Sequence, residues 1–382
     1  MVWNISILGQ HNRYWEVLRA SLVSIAMLLA FAGGTASAAA ITFKDIRGRT
    51  VTLEAPATRI AVDDSRYLIA LALIHPDPAG LLAAWPKDIN RLGGEAYKAF
   101  LAKSPSLEKL PLVPSSAQDF SVEAVLAAAP EVAVFADGSG PTDAQVAQLE
   151  SAGVQVVFID FFRHPFRNLG PSLKIFGAIT GSDAQADAFI AFREERMKTI
   201  SDAVAGLSPE QRPTVFLEAH AGMSADCCNA PGKGNVGDYI EFVGGHNIAA
   251  DVLKQQASGR VNLEYVIERD PQVYIATGGP HLEKAGGLVL GPGYSHEQAQ
   301  AALRKVGSRP GISSLTAVKE GRMFGFAHQL INSPLDIIAV EVFARWIHPD
   351  LFGGLDPAKT LDEINTRFLA VPLPGEYWLG LN

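Results

Sequence analysis

The chain has 382 residues, enough for two packed units. Of these, 48% are apolar and 19% charged, which excludes a disordered polymer and leaves ample material for buried cores. Lys and Arg number 32 against 40 Asp and Glu, a formal charge of −8, so no broad basic face exists for nucleic acid. The two cysteines, Cys227 and Cys228, are adjacent. That is neither a disulfide framework nor a common zinc pattern.

Arg13 and Arg19 precede the apolar run from Ala20 to Ala32, and small residues follow as far as Ala38. A basic flank, a short greasy core and an Ala-x-Ala sequence predict a signal peptide over residues 1–38. The run is short of the ~20 apolar residues that a membrane span needs. The mature protein is expected to be exported and soluble.

Further along, Arg59–Asp63 (RIAVD) reads as a strand leading into a helix around Tyr67–Leu73. Residues 120–138, FSVEAVLAAAPEVAVFADG, read as a short helix, a Pro stop, a buried strand and a Gly turn. Ser182-Asp183-Ala184-Gln185 has the form of a capping box. Behind it, Ala186, Phe189, Ile190, Met197, Ile200, Val204 and Leu207 recur near a 3.6 period until Gly206 and Pro209 stop the helix. A helix over 183–206, roughly 24 residues long, makes a rod of roughly 36 Å. Thr214–Glu218 (TVFLE) repeats the first strand, with a helix around Asp238–Val243 after a longer loop. Residues 261–279, VNLEYVIERDPQVYIATGG, repeat 120–138, sharing Glu123/Glu264, Val125/Val266, Pro130/Pro271, Val132/Val273 and Gly138/Gly279. The expected fold class is α/β. An amino-terminal lobe spans 41–165 and a carboxy-terminal lobe 210–382, each with a mainly parallel sheet. They are joined by connecting helices over 166–209, of which the long linker helix is one.

Together with GVQVVFID, GDYIEFVGGHNIAAD, AVKEGRMFGF and SPLDIIAVEVFARWIHPDLF, this order of segments resembles the periplasmic substrate-binding proteins of ABC importers, of the iron-complex and vitamin B12 type. The resemblance covers essentially the whole mature chain. It implies a class III periplasmic binding protein fold, with a ligand held between the lobes and delivered to a permease dimer in the inner membrane. It also implies a periplasmic monomer without enzymatic activity and without a cofactor of its own, iron entering only inside the ligand. A ferric siderophore ranks first as ligand, haem or a corrinoid second, and a metal ion held directly by cleft histidines third. An exported enzyme using the same cleft is the rival class. In the binding proteins this chain resembles, acids at the positions of Glu123 and Glu264 meet arginines of the two permease subunits.

His164, His220, His281 and His328 each follow an expected strand, where open α/β sheets bind ligands. Arg66, Tyr67, Trp85, Arg163 and Tyr294 complete the candidate cleft, since Arg pairs with anionic chelators and aromatic rings cover flat or greasy surfaces. Cys227 and Cys228 lie in the long loop after Thr214–Glu218 and are expected to face the ligand or to lie in a plain surface loop, either as thiols or closed into a small, strained disulfide ring. Gly232–Gly237 formally matches a dinucleotide fingerprint but lacks a strand directly before it. It remains a loop whose amides could meet an anion, or a plain helix-capping turn. The four histidines could coordinate a metal directly or hydrogen-bond a chelate; neither H-E-x-x-H nor G-x-S-x-G is present, and no paired carboxylate or Walker motif stands out.

Overall fold

A computed structural model describes Met1 and residues 40–114, 119–224, 227–234, 236–331 and 333–381. The expected signal peptide therefore lies outside the described residues apart from Met1, as does Asn235 of the glycine-rich loop. The described chain opens with an antiparallel hairpin of β1 (Ile41–Lys44) and β2 (Thr50–Leu53). The first sheet follows, in the order β4-β3-β5-β6, from β3 (Ile60–Val62), β4 (Leu82–Ala84), β5 (Val132–Ala136) and β6 (Gln155–Ile159). Every pair in it is parallel. Its strands are continuous apolar runs because helices cover both faces.

The second sheet has the order β13-β12-β11-β7-β9. Its strands are β7 (Thr214–Glu218), β9 (His246–Asn247), β11 (Val273–Gly278), β12 (Met323–Ala327) and β13 (Trp378–Gly380). Only β13 runs antiparallel to its neighbour. A small ribbon pairs β8 (Asn229–Pro231) with β10 (Ser258–Arg260). Apart from β13, the two sheets have one topology, with β4-β3-β5-β6 matched by β9-β7-β11-β12. Helix α1 (Tyr67–Ile74) follows β3, and α2 (Val122–Ala127) leads into β5. In the second lobe, α5 (Gly237–Phe242) follows β7 and α6 (Leu263–Arg269) leads into β11.

Between the sheets run α3 (Pro165–Thr180) and α4 (Asp183–Val204). The buried residues of α4 include Ala186, Phe189, Met197, Ile200 and Val204, spaced to form one face. Helix α4 packs against α1 of the first lobe and against α7 (Asp336–Ile347) of the second. The expected capping box is absent: Ser182 occupies the N-cap position, but its side chain makes no capping hydrogen bond. The backbone there, at φ −111° and ψ 34°, is not the extended geometry that aims an N-cap oxygen into the first turn. Instead the Ser182 amide closes the end of α3 on Gly177, after Gly181 in the left-handed region.

One hydrophobic core runs through both lobes, from Val51 to Leu379, and a smaller one lies under one face of the first sheet around Val125, Phe135 and Phe158. The carboxy-terminal segment crosses back, with Ala370 N–H donating to Ala72 at 2.8 Å and the Lys103 ammonium to Ala370 at 2.8 Å. Shared apolar packing and these ties favour lobes that move little against each other. Among the described residues, no helix is long and apolar enough to cross a membrane.

Candidate ligand-binding site

Three neighbouring strands of the second sheet each release a histidine at their carboxyl end: His220 after β7, His281 after β11 and His328 after β12. Parallel pairing in register brings these strand ends to one edge, and the three rings meet there. His220 Nδ1 lies 2.8 Å from His281 Nε2. Ring centres are 4.1 Å apart for His220 and His328, 4.9 Å for His220 and His281, and 6.4 Å for His281 and His328. Thr277 anchors the group: its hydroxyl accepts from the His220 amide at 3.1 Å and bonds His328 Nδ1 at 3.0 Å. His220 adopts φ 55°, an uncommon conformation for a residue with a β-carbon. Burial, aided by the neighbouring His281, pushes the His220 pKa down to about 4. Burial also lowers His281. Burial, then His220, Arg66 and His281, put His328 well below the ordinary imidazole range. All three are neutral donors at pH 7.

Arg66 of the first lobe lies near enough to His328 for its positive charge to help lower that imidazole's pKa. Arg66 follows β3 and is clamped by Asp64, Nε to Oδ1 at 2.9 Å and Nη2 to Oδ2 at 2.6 Å. Arg91 also reaches Asp64, at 3.0 Å. Burial opposes ionisation of Asp64, but the two guanidinium groups hold its pKa below the ordinary value. The adjacent Asp63 accepts the Ala136 amide, and burial above all raises its pKa to about 7.

The first lobe arranges its other candidates around Asp160, just past β6. Its carboxylate accepts the amides of Phe162, Arg163 and His164 and the side chain of Asn168. Arg163 is half exposed and donates to Asp137 at 3.3 Å, a carboxylate that Arg47 also binds at 2.8 Å. His164 is exposed at the start of α3, on the lobe opposite the other three histidines. The glycine-rich loop abuts Arg163, since a β-carbon on Gly234 would lie 3.4 Å from the Arg163 carbonyl oxygen. The anion expected at this loop is disfavoured. Asp238 Oδ1 takes the Gly234 amide at 2.7 Å, and α5 has only six residues. Gly232 and Gly237 are required sterically, because a β-carbon on Gly237 would collide with the Gly232 carbonyl and one on Gly232 with the Gln256 carbonyl.

The remaining candidates lie elsewhere. Tyr67 is buried in the first lobe, edge-on to Phe161 and Phe176. Trp85 is fully buried and stacks on Tyr97. Both rings are core aromatics, because the helix and strand end that carry them face inward. Tyr294 lines a groove at the lobe boundary with Glu95, Lys98 and Gly375. Cys227 and Cys228 form a disulfide. Cys228 is buried, and Cys227 lines a pocket with Arg260, Glu264 and Arg309. Glu123 and Glu264 are exposed in the first turns of α2 and α6. Sequence reasoning missed Asp63, Asp64, Asp160 and Thr277. Among the described residues, no group of three or more His, Cys, Asp or Glu side chains is arranged to hold a metal ion.

The sequence pattern of the periplasmic binding protein family matches residues 71–330. A cobalamin-binding protein of Halobacterium salinarum is 31% identical over 155 residues, which cover 41% of this chain and 40% of that protein. The chain thus aligns with well under half the length of that relative. The crystal structure of a TroA-like periplasmic binding protein, FepB of Veillonella parvula, superposes with a TM-score of 0.80 at 26% identity, covering 90% of this chain and 100% of that one. The molybdate-binding protein MolA of Haemophilus influenzae shares the fold at a TM-score of 0.67 and 16% identity, over 88% of this chain and 99% of its own. A match over two thirds of the sequence, joined to a paired α/β architecture that superposes along nearly the whole described chain, places this protein in the periplasmic binding protein family.

Proposed function

We propose that this protein is the exported solute receptor of an ABC importer. It captures a metal chelate between its lobes, with a ferric siderophore as the first ligand class, and hands it to a permease dimer. The observation that carries this reading is the set of neutral histidines at the ends of β7, β11 and β12, opposite Arg66 of the other lobe. Neutral imidazoles are donors to transition metals, and a bound complex gains both metal contact and charge-assisted hydrogen bonds. The reading includes no catalytic step, a monomeric receptor and a periplasmic location. The cobalamin-binding relative supports a corrinoid as the second reading. Native mass spectrometry of receptor purified from iron-starved cells tests the proposal. The expected result is an added mass carrying a metal isotope pattern; receptor that stays ligand-free in cells importing iron chelates would refute it.

A further inference from the structure

We infer that His220 and His281 together supply two adjacent coordination positions to the metal of the captured complex, so that the receptor selects chelates with two open cis positions. The inference rests on the chelate-receptor reading above and narrows it to a class of ligand.

The separation of the two nitrogens carries the argument. His220 Nδ1 and His281 Nε2 are 2.8 Å apart. For metal–nitrogen bonds of about 2.1 Å, adjacent corners of an octahedron are about 3 Å apart and opposite corners about 4.2 Å. The pair is spaced as an edge, and one metal meets both nitrogens once each ring swings its lone pair off the hydrogen-bond axis, by about 45° for a regular octahedron. At present a single proton joins them. Coordination moves that proton through solvent to the far nitrogen of the same ring, and both imidazoles stay neutral with no net proton released. The backbone of His220 is already fixed by its amide bond to Thr277, and its ring lies against His328. His328 is thereby a positioning residue.

Two protein donors cannot satisfy a six-coordinate metal, so the other four must arrive with it. A hexadentate chelator leaves no position for either histidine. A planar macrocycle leaves positions only on opposite faces, which a pair 2.8 Å apart cannot span. The class that remains is a metal held by a tetradentate open-chain chelator, or by two bidentate ones.

Untagged full-length mature receptor can be titrated calorimetrically with three probes: nickel(II) nitrilotriacetate, which leaves two cis positions, nickel(II) EDTA, which leaves none, and haemin. The nitrilotriacetate complex should bind one per chain and at least tenfold more tightly than the EDTA complex. Its visible d–d band should shift to higher energy as imidazole replaces water. His220→Gln and His281→Gln should each lose at least tenfold in affinity while keeping the wild-type melting temperature. His296→Gln, an exposed histidine beside Glu376, should bind as wild type. Equal binding of the two nickel complexes, or unchanged affinity in both cleft variants, overturns the inference. Haemin binding that survives His220→Gln overturns it also, yet leaves a macrocycle receptor standing. If cells load the receptor with a metal chelate while the nickel probes behave alike, this inference fails and the receptor reading survives. If neither cells nor probes load it, both fail.

Discussion

Arg193 grips Asp336 with two parallel hydrogen bonds, Nε to Oδ1 at 2.7 Å and Nη2 to Oδ2 at 2.6 Å, where both side chains are buried. Arg193 belongs to the linker helix and Asp336 opens α7 of the second lobe. Tyr239 of α5 donates to the same carboxylate at 3.1 Å. One buried ion pair thus fastens the linker to two helices of the second lobe. Removing a single partner strands a charge in the core, at a cost of about 3–5 kcal/mol. Asp336→Ala and Arg193→Met should each show that loss in urea unfolding. Arg193→Met combined with Asp336→Leu should lose less than either alone, because no charge is orphaned. A double variant as unstable as the sum of the singles would show that the pair does not act as a unit.

Asp63 makes stability depend on pH in an unusual direction. Its folded pKa of about 7 exceeds the ordinary 3.8 through burial chiefly, with Asp64 adding to it. Between these values the folded protein holds a proton that the unfolded chain has lost. The contribution of Asp63 to stability therefore falls as pH rises from about 4 to about 7 and levels off above. A shift of roughly three units corresponds to about 4 kcal/mol when complete. Asp63→Asn keeps an acceptor for the Ala136 amide and cannot ionise. Relative to wild type, this variant should gain stability between about pH 4 and about pH 7 in thermal melts and level off toward pH 8. A difference that is flat across that range would place the Asp63 pKa at the ordinary carboxylate value.

What could be read without coordinates was what depends on near neighbours. Pro130 and Pro271 end α2 and the α6 segment, and apolar runs follow, so β5 and β11 announce themselves locally. The clustering of His220, His281 and His328 was also legible, since residues just past parallel strands gather at one sheet edge. His164 obeys the same rule but leaves the first sheet, so it sits on the other lobe, exposed at the start of α3. Tyr67 and Trp85 were misplaced because an aromatic ring's destination depends on what packs against it, here Phe161, Phe176 and Tyr97. Asp160 had a signal that was passed over: a carboxylate directly after a strand and before Phe-Phe-Arg-His is well placed to accept the next few amides. Thr277 gave none, being one of six buried residues in β11.

The paired acids offer a test of the proposed docking on a permease dimer. Glu123 and Glu264 occupy equivalent first-turn positions on α2 and α6, exposed on equivalent elements of the two lobes. Local chemistry explains part of this. Its own amide and Ser121 lower the Glu123 pKa, and a first-turn carboxylate is favoured by the helix dipole. That account predicts only a small loss of stability on substitution. Docking on two basic pockets predicts far more, since complementary charges set both orientation and encounter rate. The lobes are not identical here, because Glu264 shares its pocket with Arg260 and Arg309 whereas Glu123 bonds Ser121. A lysine at 264 would add to that positive charge, so the neutral pair Glu123→Gln with Glu264→Gln should be measured beside Glu123→Lys with Glu264→Lys. Uptake should fall strongly in the neutral pair and vanish in the reversed pair, while chelate affinity and melting temperature stay close to wild type. Transport at the wild-type rate by the reversed pair would leave the two acids as helix-capping residues and nothing more.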